Sequence, residues 1–237
     1  MQPNLSNVVI TGATRGVGEA LSLRFAHQGK KVFALARTEV QLASLIERGG
    51  SGIIPFAVDI SDREAVADAI HRIEQNHGGI DVLINNAGVV QNKLFSEQDF
   101  EVMDRIIDVN LKGTLYVTRI ALPKMIERRH GRIINISSVA GTRGIFGQVA
   151  YCASKHGMNG FADALAQEVV KHNIGVATIC PGAIDTPLWD KETNPYPGDL
   201  TKVIQPGEIV DMVEFLLNQP VGTMYKRIVV FPTNEWH

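Results

Sequence analysis

Asn7-Val8-Val9-Ile10-Thr11-Gly12-Ala13-Thr14-Arg15-Gly16-Val17-Gly18 joins a short apolar run to three spaced glycines. Asn7–Thr11 reads as a buried strand. Gly16 to Gln28 reads as a helix, with Leu21, Phe25 and Ala26 at core spacing and Gly29 as its stop. Between the two, glycines let the chain turn tightly and let backbone approach a pyrophosphate. The helix N-terminus behind them offers unpaired N–H groups and the positive end of its dipole. The spacing is Gly-x-x-x-Gly-x-Gly, not Gly-x-Gly-x-x-Gly. No Gly-Lys-Ser/Thr follows the loop, which argues against a nucleoside triphosphatase.

Outward from this stretch, strands and helices alternate. Strands are expected at Lys31–Ala36, Ile53–Val58, Val82–Asn85, Arg132–Ser137, Gly175–Cys180 and Arg227–Val230. Helices are expected at Glu39–Arg48, from a Ser61/Glu64 capping box to about His77, from about Glu97 to Arg129 with a break near Asn110 or Gly113, through Tyr151 to about Lys171, and at Gly207–Asn218. The strands are mostly unbroken apolar runs, as expected when both faces are covered. Repeated β-α units with right-handed crossovers predict one α/β domain over residues 1–237, an open, doubly wound parallel sheet with helices on both faces. Ile184 to Gln205 is rich in Pro, Gly and Asn and interrupts the alternation, which makes it a candidate substrate lid.

Composition narrows the function. The chain has 237 residues and a net charge of −2, with no basic patch for nucleic acid. No apolar run approaches the ~20 residues that span a bilayer. Met1-Gln2-Pro3-Asn4 lacks the regions of a signal peptide. Cys152 and Cys180 form neither a framework nor a CxxC pair, so a soluble, reducing, cytoplasmic setting is expected. The seven histidines show no ligand spacing, and no metal is inferred. No Gly-x-Ser-x-Gly elbow surrounds Ser138, so a serine hydrolase is not supported.

At the end of the second strand, Leu35-Ala36-Arg37-Thr38 carries no carboxylate for ribose hydroxyls. Arg37 can instead meet a 2′-phosphate, with Arg15 clamping it from the other side, as charge-assisted contacts to a dianion. NADP(H) is therefore expected in preference to NAD(H). Tyr151 and Lys155 are four residues apart and share a helix face. A phenol titrates near ~10; an ammonium at about 4 Å could bring it toward neutrality and make it a working acid/base.

Together these residues resemble the short-chain dehydrogenase/reductase family, NADP(H)-preferring type, from Val8 to about Thr186. The motifs are Thr11-Gly12-x-x-x-Gly16-x-Gly18, Asp59, Asn85-Asn86-Ala87-Gly88, Asn110, Ser138, Tyr151-x-x-x-Lys155 and Pro181-Gly182-x-x-x-Thr186. The resemblance implies a Rossmann-like domain and hydride transfer between a nicotinamide and a carbonyl or alcohol. It implies Tyr151 as acid/base, Lys155 as the group that lowers its pKa, Ser138 as the donor to the oxyanion, and Asn110 as the holder of a relay water. Cofactor contacts are implied at Gly12, Thr14, Arg15, Gly16, Val17, Gly18, Arg37, Asp59, Ile60, Asn86, Ala87, Gly88, Tyr151, Lys155, Pro181, Gly182, Ile184 and Thr186. The family also implies a homodimer or homotetramer. The tail departs from the family's Asp-Gly-Gly ending, reading Val229-Val230-Phe231-Pro232-Thr233-Asn234-Glu235-Trp236.

Stepping 100 degrees per residue from Tyr151 puts Lys155, Met158, Ala162, Leu165 and Val169 on one face. Ala153, Gly157, Gly160 and Ala164 form a small, smooth opposite stripe, which suits packing on another helix, across a two-fold axis or within the chain. Val89, Val90, Val139, Ile145, Phe146, Leu188 and Trp189 are expected to line an apolar substrate pocket, with Arg143 as the cation nearest to it. These features point to an apolar ketone or aldehyde, or a 3-oxoacyl thioester. The alternative, a non-catalytic NADP(H)-binding sensor or scaffold, predicts a damaged set of Asn110, Ser138, Tyr151 and Lys155, yet all four are present.

Overall fold

In the computed structural model, which describes residues 5–190, 194–220 and 222–233, seven strands are present: β1 (Asn7–Thr11), β2 (Lys31–Ala36), β3 (Ile53–Ala57), β4 (Val82–Asn85), β5 (Gly131–Ile136), β6 (Ile174–Pro181) and β7 (Arg227–Val230). They form one sheet in the order β3-β2-β1-β4-β5-β6-β7, with every pairing parallel. The helices are α1 (Gly16–His27), α2 (Glu39–Gly49), α3 (Arg63–His77), α4 (Phe100–Ile107), α5 (Thr114–Arg128), α6 (Val149–Val169) and α7 (Pro206–Leu217).

Residues of β1 show why the strands read as unbroken apolar runs. Val8, Val9 and Ile10 are all fully buried, but on opposite faces. Val8 and Ile10 pack with Leu21 and Phe25 of α1, Leu42 and Leu45 of α2, and Ile209 and Val213 of α7. Val9 packs with Ile70 and Ile73 of α3, Val117 of α5, and Leu165 and Val169 of α6. Two apolar layers thus sandwich the sheet, and burying large side chains there stabilises by roughly 1.5–3 kcal/mol each. This is the doubly wound α/β architecture that the alternation predicts.

The order of the strands reverses at β1, which pairs with β2 on one side and β4 on the other. In such sheets the carboxyl ends of the strands at this switch leave a crevice. Side chains stitch the two ends together. Thr11 Oγ1 accepts from Asn86 N at 3.0 Å and Ala87 N at 3.1 Å, while Asn86 Nδ2 donates to Thr11 O at 3.0 Å. Their polar groups therefore hold the strand ends together.

Two expectations need correction. The Ser61/Glu64 capping box does not form. Asp62 caps α3, accepting from Glu64 N at 2.9 Å and Ala65 N at 3.1 Å, because Ser61 is turned back onto Asp59. The long helix also starts at Phe100 and not at Glu97, while it divides where a break is expected. A 3₁₀ turn covers Phe95–Glu97, α4 begins at Phe100, and Asp108–Gly113 is π-helical before α5. The expected break is thus a bulge that widens the turn. Gly113 allows it to lie on Ile60, whose Cδ1 would be 2.7 Å from any Cβ there.

Among the described residues, no helix is long and apolar enough to cross a membrane. The signal-peptide reading of residues 1–4 and the tail reading of residues 234–236 fall outside the described residues.

Candidate active site

One cleft of about 250 Å³ lies at the carboxyl ends of the strands, across the switch point. Its walls come from the segments after β1, β2, β3, β4, β5 and β6 in turn. Gly12, Thr14, Arg15, Gly16, Val17, Arg37, Asp59, Ile60, Asn86, Ala87, Gly88, Tyr151, Lys155, Pro181, Gly182, Ile184 and Thr186 all line it, as do Val89, Val90, Leu188 and Trp189.

Backbone packing explains the glycines. Gly18, in the first turn of α1, lies so close to the preceding strand end that a Cβ would stand 2.1 Å from Gly12 O and 2.5 Å from Asn86 Nδ2. Gly16 has φ +54°, a left-handed conformation that costs other residues free energy, and a Cβ there would be 2.9 Å from Thr186 Cγ2. The loop therefore closes down on both the β4 end and the β6 loop, and opens the N-terminus of α1 into the cleft. This cradle has the shape and polarity to hold a phosphate chain.

At one end of the cleft are Arg15 and Arg37. Burial, and then repulsion from Arg37, hold the Arg15 guanidinium below its ordinary pKa. Two cations this close destabilise each other until an anion is shared between them. Beside them Thr14 Oγ1 donates to Gln41 Oε1 at 3.0 Å, and Gln41 and Thr38 also line the cleft. Sequence reasoning missed Gln41, whose position on α2 carries no motif.

Asp59 sits further in. Ser61 N and Ser61 Oγ donate to Asp59 Oδ1 at 3.0 and 2.7 Å, and Arg105 Nη2 donates to Oδ2 at 2.8 Å. Burial opposes ionisation of this carboxyl, but the bonds from Arg105 and Ser61 outweigh it and hold its pKa below the ordinary value. Arg105 also lines the cleft and was not foreseen; 46 residues separate it from Asp59.

At the other end Tyr151 and Lys155 project from the first turns of α6. Both are buried, and the Tyr151 phenol is hydrogen-bonded to the Ser138 hydroxyl. Ser138 Oγ also accepts from Ala140 N at 3.1 Å, which fixes the 3₁₀ turn that follows β5. Lys155 Nζ donates to Ile136 O at 2.9 Å. The expected electrostatics need correction. Burial pushes the phenol up to about 12, with the Ser138 hydrogen bond opposing it, and burial pushes the Lys155 ammonium down to about 8. Desolvation dominates because both groups are buried, and Lys155 Nζ stands 5.7 Å from the phenol ring centroid.

Asn110 is fully buried behind the cleft and does not line it. Its Oδ1 accepts from Val89 N at 2.8 Å, and its Nδ2 donates to Val89 O at 2.9 Å and to Ser154 Oγ at 3.1 Å. The π-helical turn thereby grips the β4 loop and α6 at once. Ser138 likewise touches Tyr151 from outside the lining.

The substrate end differs from expectation. Val139 is buried beneath the Ser138 turn, Ile145 packs on the cluster of Ala150, Tyr151 and Cys152, and Phe146 is 88% exposed. None of these three lines the cleft. Gly147, at φ +75°, turns the chain there, and Lys93 N holds it at Gly147 O, so Phe146 is carried outward. The Arg143 guanidinium lies over the Phe231 ring, 4.9 Å from its centroid. From the lid stretch, Ile184 pairs with Ile204, the Trp189 and Tyr196 rings meet at a tilt of 55° with centroids 5.0 Å apart, and Asn194 Oδ1 accepts from Asn92 N at 2.9 Å. Residues 191–193 fall outside the described residues.

A doubly wound sheet with a glycine-cradled cleft, and a half-buried Ser138 beside the buried Tyr151 and Lys155, defines an α/β enzyme of dinucleotide-binding type. Residues 6–196 match the family model for short chain dehydrogenases. The chain is 37% identical over 217 residues to the 3-oxoacyl-[acyl-carrier-protein] reductase FabG of Thermotoga maritima, covering 88% of each chain. Among solved structures it superposes with a metagenomic short-chain oxidoreductase in complex with NADP (TM-score 0.83, 32% identity, 98% and 99% of the two chains). It also superposes with ElxO with NADP bound (TM-score 0.86, 26% identity, 96% and 97%). The chain belongs to the short-chain dehydrogenase/reductase family of oxidoreductases.

Proposed function

We propose that this protein is an NADP(H)-dependent oxidoreductase that interconverts a carbonyl and an alcohol, with Tyr151 as its acid/base. The observation that carries this reading is the Tyr151 phenol, hydrogen-bonded to Ser138, facing the same cleft whose far end holds the mutually repelling Arg15 and Arg37. The two solved neighbours named as NADP complexes support the choice of cofactor.

The glycine cradle and the α1 N-terminus would hold the pyrophosphate, and Arg15 and Arg37 the 2′-phosphate. Pro181, Gly182, Ile184 and Thr186 would flank the nicotinamide half. When bound, the nicotinamide supplies or accepts the hydride at the carbonyl carbon. Tyr151 gives its proton to the carbonyl oxygen in reduction and takes it back in oxidation. A phenol kept protonated by burial is suited to the donor role. Ser138 donates to the same oxygen as charge develops on it. Lys155, pushed down by burial, exchanges its proton near neutral pH, and Asn110 steadies the loop and helix on either side of it.

Val89, Val90, Leu188 and Trp189 give the substrate end an apolar lining. That suits an apolar ketone or aldehyde, or a 3-oxoacyl thioester, and the similarity to a 3-oxoacyl reductase supports the last. Residues 184–205 would act as the lid of one domain spanning 1–237. Ala153, Gly160 and Ala164 are exposed on α6, and we read that stripe as a contact between copies in a homodimer or homotetramer.

The test is loss of NADPH absorbance with a panel of ketones, aldehydes and 3-oxoacyl thioesters, repeated with NADH. Turnover with at least one class, faster with NADPH, is expected. Tight NADPH binding with no turnover of any carbonyl or alcohol would overturn the catalytic reading.

A further inference from the structure

Arg105 belongs to none of the motifs above, yet it reaches the cofactor cleft from α4. Its two terminal nitrogens are both spent on the segment after β3. Nη1 donates to Ser61 Oγ and Nη2 to Asp59 Oδ2, each at 2.8 Å. Ser61 in turn donates through its hydroxyl and its backbone N–H to Asp59 Oδ1. The three residues close a ring in which each holds the other two.

An ionised carboxylate has about four acceptor positions. In Asp59 two on Oδ1 are filled by Ser61 and one on Oδ2 by Arg105. One position on Oδ2 is left, on a side chain that is about a third exposed and lines the cleft. A carboxylate held in this way offers acceptors and no donor. It favours a ring edge that presents an N–H and disfavours one that presents a carbonyl oxygen. A planar fork that bridges two oxygens fixes both the tilt and the depth of the carboxylate; a lysine ammonium cannot match it at both points.

We propose that Arg105 is a positioning residue, holding Asp59 so that its remaining acceptor site receives the exocyclic amine of an adenine and rejects a 6-oxopurine. The inference rests on the dinucleotide reading above and deepens it by assigning base selectivity to α4. It also gives α4 and the π-helical turn that continues it a double duty. Five residues on, Asn110 clamps Val89 and Ser154 beside Lys155. A single helical stretch thus braces both ends of the cleft, and Gly113 packed on Ile60 keeps it against the segment that carries Asp59.

The experiment compares fluorescence-measured Kd values for NADPH and for its hypoxanthine analogue, in which the exocyclic amine is replaced by a carbonyl oxygen. The parent should prefer NADPH by about tenfold, the equivalent of one good hydrogen bond. In Arg105→Met the preference should fall to threefold or less, with Arg105→Lys in between. A ratio is read because damage to the cleft moves both Kd values together, whereas loss of aim at Asp59 moves only their quotient. If Arg105→Met does not fold, Arg105→Lys carries the same comparison. A parent that binds neither compound overturns the dinucleotide reading itself. A parent that binds both equally, or folded variants that keep the parent ratio, overturns the role of Arg105 and leaves that reading standing.

Discussion

Lys155 Nζ stands 5.7 Å from the centre of the Tyr151 ring and gives its hydrogen bond to the Ile136 carbonyl. The two residues are neighbours on one helix face, but both are buried, and burial penalises a charge on either. Their proton chemistry follows from that shared desolvation.

Replacing Tyr151 with Phe keeps the ring that fills its place beside Ala140 and Ala150 and removes only the hydroxyl. Carbonyl turnover should drop by about 10²–10⁴-fold, the usual contribution of a positioned acid/base. NADPH affinity by fluorescence titration should stay within about threefold. Turnover near the parent level would refute the role assigned to Tyr151.

Lys155 costs the fold stability at neutral pH. Burial lowers its pKa from the ordinary 10.5 to about 8, worth roughly 3 kcal/mol at about 1.4 kcal/mol per unit. Between pH 8 and 10.5 the unfolded chain binds more protons than the folded one, so the parent gains stability as pH rises through that window. Lys155→Met escapes this penalty but leaves Ile136 O without its donor, at a cost of about 1 kcal/mol. Urea unfolding at one protein concentration should find the variant more stable by about 2 kcal/mol at pH 7, with the advantage shrinking above pH 8. A constant difference from pH 7 to 10 would show that burial of the charge is not the cause.

Arg37→Asp places a carboxylate where a 2′-phosphate is expected. The loss of one charge-assisted contact, about 1.5–3 kcal/mol, should weaken NADPH by roughly 10- to 100-fold. NADH should be affected little or improved, since an acid can accept from a ribose hydroxyl. Equal loss for both cofactors would argue against the Arg15–Arg37 clamp.

On α6, a Cβ at Gly160 would meet nothing within 4 Å, whereas at Gly157 it would meet Leu111 Cδ2 at 2.9 Å. The stripe is thus partly covered by the chain itself and open further along. Gly160→Arg should reduce the mass in solution by light scattering from a dimer or tetramer to a monomer, while Gly160→Ala should leave it unchanged and strengthen the helix by up to about 1 kcal/mol. An unchanged mass for Gly160→Arg would remove this face from the interface.

Much of the molecule could be read from the linear chain. The β1 and β2 boundaries follow directly from Val8–Ile10 and Val32–Leu35, because fully covered strands leave no polar interruption. The glycine loop was legible because its function is a backbone property, and glycine spacing reports backbone shape. Ser61 does not cap α3 because its hydroxyl donates to Asp59 and accepts from Arg105, and the second of these bonds exists only once α4 is brought against the segment after β3. Phe146 is expected in the pocket, but the left-handed turn at Gly147 carries it out to solvent.

Local pattern, then, determined the order of elements and the parallel sheet, and singled out Tyr151, Lys155, Arg15 and Arg37 as candidates, since periodicity and turn chemistry act over a few residues. Only folding decided the rest: the burial that sets the phenol near 12 and the ammonium near 8, the grip of Asn110 on Val89, and the Arg105–Asp59 bridge. These depend on desolvation and on contacts between segments tens of residues apart, and neither quantity exists until the sheet has brought its strand ends together.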